Sequence, residues 1–368
     1  MRNILLVAII AAGTLAAEHV PVIDASTPEG QALQKIGQES DDAKKTPLLE
    51  EFVTTYPASA SIGWVLEQLQ PAYVKAGKFD EALGLGDKLL AMDGDDTEAA
   101  LQNLKAAEGK KDAALVLKWS DRTDQNAKKV LAQPQPKGED ELDAWKKHQD
   151  YAKQVDQYTE YTLYSAAVQA ADPKQKLQLV SALRTRNAQS QYLPQMAQQE
   201  FLAYRQSGDN AKAVALAEGI LATDQTNEDM LLVVADSYMQ KKSNPDKVLT
   251  YSAKMVEVMS AKPKPEGVGD ADWEKRKNLI VGLGHQWSGK TYMDQNKFPQ
   301  ADRELRLALP LISGDNNLKG ETTFLLGLAN YKMKKIPDAI KFNQMCAAIR
   351  SPYQAQAEKN IKAMQSGK

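Results

Sequence analysis

The chain has 368 residues, 43% of them hydrophobic, which excludes wholesale disorder and leaves room for two ordinary domains or one long repeat array. Its 46 basic and 48 acidic residues leave a formal charge of -2, so no global basic field exists to attract nucleic acid or anionic lipid. The single cysteine, Cys346, excludes an internal disulfide and reads as a small buried helix residue rather than a nucleophile.

In chain order, the first segment, MRNILLVAIIAAGTLAAEHV, runs from Arg2 through an apolar stretch between Ile4 and Leu15 into small residues, then turns polar at Glu18. This is the layout of a secretory signal peptide over 1–17, cleaved after Ala16 or Ala17, and it predicts an exported chain, periplasmic or secreted. The apolar stretch is shorter than the roughly 20 residues that a bilayer span needs, so no transmembrane span is expected after cleavage. An uncleaved anchor and an ordinary buried N-terminal helix are the other two readings of the segment. Residues 18–27 are expected to form a flexible mature N-terminus.

Downstream, self-similarity dominates. The segments AYVKAGKFDEAL, LAYRQSGDNAKAV, KTYMDQNKFPQAD and ANYKMKKIPDAI each carry an aromatic residue, a short polar turn and then Ala near the start of a second apolar helix. The pattern resembles the tetratricopeptide repeat, a 34-residue helix-turn-helix unit with a small residue at position 8, an aromatic near 11, Ala at 20 and a helix stop near 32. Small residues at 8 and 20 let the two helices of a unit approach closely. Position 20 falls on Ala82, Ala213, Ala301 and Ala339; Gly77 and Gly208 then lie in turns, and Gly289 and Gly327 at position 8.

Weaker copies cover 26–59, 95–128 with Ala114 at position 20, and 160–193 and 228–261, where Leu179 and Lys247 stand in place of Ala. Together these give about eight helix pairs and no strand pattern. The expected fold is all-α, a right-handed α-solenoid of stacked tetratricopeptide helix-turn-helix pairs. Its expected division is an N-terminal array over 28–128, a Pro-rich linker over 129–140, a C-terminal array over 141–352 with an insertion at 261–270, and a capping helix and tail over 353–368. Ser351, Pro352 and Gln354 read as the N-cap, first helical residue and capping box of that last helix.

Two interruptions, LAQPQPKGEDELDAW and SAKPKPEGVGDADW, place a Pro-containing linker before an acidic cluster and a Trp, each followed by an unusually long first helix. They admit two readings. Either they are solvated linkers with Trp145 and Trp273 packed on neighbouring helices, or they are flaps whose aromatics edge a binding surface.

The stretch GHQWSGKT, Gly284 to Thr291, satisfies G-x-x-x-x-G-K-[ST], the loop that cradles nucleotide phosphates between a strand and a helix. The repeat already accounts for it, because Gly289 and Tyr292 fall at positions 8 and 11 when Ala301 is at 20. Bulky His285, Gln286 and Trp287 occupy the centre, where backbone N–H groups would have to wrap phosphate, and no apolar strand ending in Asp follows. His19, His148 and His285 are far apart, with no metal-binding spacing among them. The sequence therefore assigns no catalytic residue, no metal site and no cofactor, and a non-enzyme is expected.

Tetratricopeptide arrays hold peptides or proteins in a groove lined by their first helices, and the resemblance implies a protein or peptide partner here, with no nucleic acid. It assigns the groove to Gln195, Gln198, Leu202 and Arg205, then Asp229, Leu232, Asp236 and Met239, then Lys290, and finally Phe324, Leu328 and Tyr331. The surface so formed is mixed and amphipathic. An exported adaptor in envelope or secretion assembly is the first reading, and a self-associating structural component is the second.

Overall fold

A computed structural model describes residues 23–312 and 314–366, which fold as seventeen α-helices without a strand among the described residues. The chain forms two compact units that meet in sequence at Ser207 and Gly208. In the first unit, α1 (Pro28–Gln38) pairs with α2 (Asp42–Thr55), and α3 (Ile62–Lys75) with α4 (Phe79–Met92). Next come α5 (Thr97–Lys110) with α6 (Ala113–Leu131), then α7 (Glu139–Gln169) with α8 (Pro173–Arg186), and lastly α9 (Leu193–Gln206). The second unit holds α10 (Asn210–Thr223), then α11 (Glu228–Lys241) with α12 (Pro245–Ala261) and α13 (Asp270–Asp294) with α14 (Phe298–Leu311). It ends in α15 (Asn316–Lys332) with α16 (Ile336–Ala347), covered by α17 (Gln354–Gln365). The all-α expectation holds, as helix pairs stacked in series within each unit. The proposed signal peptide over 1–17 lies outside the described residues.

Local chemistry starts and stops these helices. Asp96, Asp112 and Asp315 cap α5, α6 and α15 by accepting hydrogen bonds from free backbone N–H groups, Asp96 from Ala99 at 2.8 Å. The turn inside a pair recurrently needs one left-handed residue, supplied by Gly77 and also by Lys111, Lys242, Asn296 and Lys334, and Gly208 takes the same conformation between α9 and α10. Only glycine takes that conformation without steric cost, so the four other side chains are held there by the pairs they connect.

Packing fixes the register. Ala82, Ala213, Ala301 and Ala339 are fully buried, as expected of crossing positions. A Cβ added at Gly289 would meet Leu305 of α14 at 2.6 Å, and one at Gly284 would meet Val256 of α12 at 2.6 Å. Apolar side chains fill the intervals, with Leu33, Phe52, Leu66 and Leu89 joining α1 to α4, and Leu104, Trp119, Leu163, Leu183 and Met196 joining α5 to α9. Each such burial stabilises by about 1.5–3 kcal/mol before the entropy of ordering is counted.

Three weaker units are corrected. In α6, Ala114 is exposed and Val116 is buried at the crossing, so that unit runs two residues later than expected. In α8 the place equivalent to Ala82 is the fourth helical residue, Lys176, whereas Leu179 is buried one turn further on. Burial depresses the Lys176 pKa, and its ammonium donates to the Val168 carbonyl and to Gln199. In α12 the buried residue is Val248 rather than Lys247, because the preceding turn holds an extra residue, with Lys242 and Asn244 both left-handed.

Segment boundaries also differ from expectation. The Pro-rich stretch lies inside the first unit: α6 continues through Leu131, and α7 packs back along it through Ala127, Ala152 and Val155. Residues 24–27 form the turn that caps α1, with the Asp24 carbonyl so close to Gly30 that only glycine fits. At the other end α17 begins at Gln354, not at Pro352, and Ser351 stands in the turn before it. Cys346 is buried in α16, where desolvation raises its thiol pKa.

Candidate functional site: the face of the first helices

Along a first helix, residues three and four apart share one stripe, so positions 2, 5, 9 and 12 of each repeat look in one direction. In the first unit this stripe on α9 holds Gln195, Gln198, Leu202 and Arg205, all exposed, with Leu202 keeping 49% of its surface in solvent. Beside it runs a stripe of α7, Tyr161, Tyr164 and Val168. The Tyr164 and Tyr192 rings stack with centroids 4.8 Å apart, Tyr161 meets Tyr192 edge-on at 6.1 Å, and the Tyr164 hydroxyl donates to Gln195 at 3.3 Å. Sequence reasoning missed this tyrosine tier because the register expected for 160–193 was three residues late.

In the second unit the predicted residues are more engaged with their own fold. Arg276 donates to Asp229 at 3.0 Å, and Gln240 donates to Asp236 at 2.7 Å. The Met239 sulfur accepts a long contact from the Thr291 hydroxyl at 3.9 Å. Leu232, Met239, Phe324 and Leu328 are half-buried, while Tyr331 is 47% exposed. Lys290, assigned to the groove, has its ammonium taken by Glu321 of α15 at 2.7 Å. Glu321 also accepts from Gln286 at 3.3 Å and from the Tyr353 hydroxyl at 3.1 Å, and the Tyr353 ring lies 5.2 Å from Phe324. The first part of this groove stripe on α15 is thus occupied by the chain itself.

The phosphate-loop stretch lies wholly inside α13, flanked by helical residues on both sides. Its backbone N–H groups are spent within the helix, and Lys290 is committed to Glu321, so nothing there can cradle a phosphate. His285 shares a hydrogen bond with Glu304 at 2.8 Å, which together with Arg303 holds the Glu304 carboxyl below the usual range. His148 is exposed on α7. Trp273 is buried and edges no surface, and Trp145 is half-buried with its indole N–H donating to the Gln133 carbonyl at 3.3 Å.

Two polar clusters lie away from these stripes. In the second unit, Glu218 of α10 accepts from Lys247 at 2.6 Å and Tyr238 at 2.9 Å, tying α10, α11 and α12 together and lowering the Glu218 pKa against its burial. In the first unit, Asp124 of α6, Asp156 of α7 and Arg186 of α8 converge. Arg186 is buried 3.6 Å from Asp124, and Lys128 binds the same Asp124 oxygen at 2.9 Å. Burial and the neighbouring Asp124 push the Asp156 carboxyl up to about 6.

No family model and no curated protein matches the sequence. Among solved structures, the chain is similar to the APC/C hetero-tetramer Cut9-Hcn1, with 11% identity and a TM-score of 0.35 over 93% of this chain and 57% of that one. It is also similar to the P58(IPK) TPR domain, with 14% identity and a TM-score of 0.25 over 92% of this chain and 98% of that one. The chain thus spans little more than half the length of the Cut9-Hcn1 chain it matches.

Proposed function

We propose that this chain is an exported scaffold, without catalytic activity of its own, that binds a protein or peptide partner on the face of its first helices. The observation that carries the reading is the stripe of α9, where a large apolar side chain, Leu202, stands exposed between amides and a guanidinium on a rigid helix. Isolated surface leucines are common, but the first unit also gathers the rings of Tyr161 and Tyr164 of α7 with Tyr192 at the start of α9, tied by Tyr164 to Gln195 of the same stripe. Export, in envelope or secretion assembly, rests on the layout of the first seventeen residues. Among the described residues no helix is long and apolar enough to cross a membrane.

Self-association is the second reading. The outward face of α17 carries Gln356, Glu358, Lys359 and Lys362, all exposed, which disfavours end-to-end stacking of copies. Photocrosslinkers placed at Leu202 and at Tyr331 in intact cells test the adaptor reading. A heterologous protein captured at either site supports it, whereas capture of the same chain, with mass rising with concentration in sedimentation, selects self-association. Capture of nothing at both sites refutes the two readings together.

A further inference from the structure

In the first unit a cavity of about 410 Å³ opens between the turn joining α5 to α6 and the end of α7, and no residue of the α9 stripe lines it. Its volume sits at the small end of the roughly 300–1,000 Å³ that ligand pockets span. Ala113, Val116, Ala166 and Ala170 wall it, and two charged side chains, Glu108 and Lys111, reach it without an ion pair to each other or to any other described residue. Glu108 is costly where it stands. It lies in the last turn of α5, where the helix dipole opposes a negative charge, and burial raises its carboxyl pKa. The Tyr158 hydroxyl donates to it at 2.5 Å and Thr162 lies fully buried beside it, while Lys105 acts on it only from further off. The end of α7 adds a second negative pole, because its last turn holds no basic residue. Lys176 does reach the Val168 carbonyl, but neither of those residues lines the cavity. Lys111 is exposed and left-handed, a conformation that Gly77 supplies in the preceding pair at no steric cost, so what the lysine brings to this turn is its ammonium.

We propose that this cavity binds a small free amino acid with an aliphatic side chain, its ammonium on Glu108, its carboxylate on Lys111 and its side chain against the alanine and valine walls. One uncompensated carboxylate and one uncompensated ammonium call for a ligand that carries both charges, each held by a charge-assisted hydrogen bond. An amine alone would meet Lys111, and a carboxylic acid alone would meet Glu108 and the negative ends of two helices. Of the polar lining, Gln169 already donates to Ser165 at 3.1 Å, which leaves the walls to an aliphatic group. This site shares no residue with the α9 stripe, so it stands whether or not that stripe carries a partner.

Isothermal titration of the full chain with alanine, valine and leucine, and with isobutylamine and isobutyrate as the two halves of valine, tests the proposal. A saturable heat is expected with at least one of the amino acids, and each half is expected to bind about tenfold more weakly than valine or worse. Glu108→Gln and Lys111→Gly are each expected to weaken the amino acid about tenfold, the second without strain because glycine suits the left-handed turn. Ala170→Leu fills the cavity while leaving both charges in place and is expected to abolish binding, so it decides the matter even where circular dichroism shows Glu108→Gln to be unfolded. No saturable heat with any of the three amino acids, equal binding of valine and isobutylamine, or binding unchanged in folded Glu108→Gln, in Lys111→Gly or in Ala170→Leu overturns the proposal.

Discussion

The Lys290 ammonium and the Glu321 carboxylate meet at 2.7 Å, joining α13 to the first helix of the next pair across the groove. Because Glu321 also receives Gln286 and Tyr353, it is the better place to disturb this junction. Lys290→Ala leaves Glu321 two donors and is expected to cost less than about 1 kcal/mol. Glu321→Ala strips all three partners and is expected to cost about 1–3 kcal/mol, with the loss concentrated at α17. Denaturant titration followed by hydrogen exchange checks both. Calorimetry with magnesium and ATP or GTP is expected to give no saturable heat; one that vanished in Lys290→Ala would overturn the reading of Gly284 to Thr291 as helix alone.

The helix crossings make a paired prediction. Ala339→Leu adds bulk at a fully buried contact and is expected to cost about 1–3 kcal/mol. Ala114→Leu, at an exposed site two residues before the true crossing at Val116, is expected to change stability by less than about 0.5 kcal/mol. Thermal midpoints of the two variants measure the register directly, and the opposite ranking would reinstate the 95–128 unit.

Asp156 gives the pH prediction. Its folded pKa of about 6 lies above the unfolded value of 3.8, so folding takes up a proton between them. Stability from this group therefore rises as pH falls from above 6 towards 4, and is lost as pH climbs through 6. Asp124, Lys128, Glu160 and Arg186 face it from α6, α7 and α8, and partial exposure screens the effect to about 1 kcal/mol. Asp156→Asn is expected to raise the melting midpoint at pH 7.5 and to flatten its rise between pH 7.5 and 5. A variant with an unchanged slope would detach the effect from this carboxyl.

Export is checked at the N-terminus of protein recovered from cells, expected to begin at Ala17 or Glu18. Soluble protein beginning at an intact Met1 would rule out the signal-peptide reading.

Where Ala and Gly stand at crossing positions, the fold was legible from spacing alone, since Ala82, Ala213, Ala301 and Ala339 are all buried as the repeat requires. Where Val116, Lys176 and Val248 take those places, size no longer marks the crossing, and the register slipped by one to three residues. The groove stripe was readable on α9 and α11 because their first-helix registers were right. The commitment of Lys290 to Glu321 was not, because it depends on a partner 31 residues away on another helix. The α1-capping turn was a local motif that went unread: Thr27 accepts from the Gly30 N–H and Pro28 opens the helix, while the Asp24 carbonyl pressed against Gly30 adds a contact that no spacing marks.

Gly284 and Gly289 have one more consequence. Five residues at about 100° each set the two glycines about 140° apart around α13, so the rod is thinned on two flanks. One bare flank lies against Val256 of α12 and the other against Leu305 of α14. A helix squeezed from both sides thus demands the same glycine interval that a nucleotide loop uses to wrap phosphate. The resemblance between the two is a collision of unrelated geometric needs, and substitutions here should be tolerated according to side-chain volume, with no regard to the lysine that completes the motif.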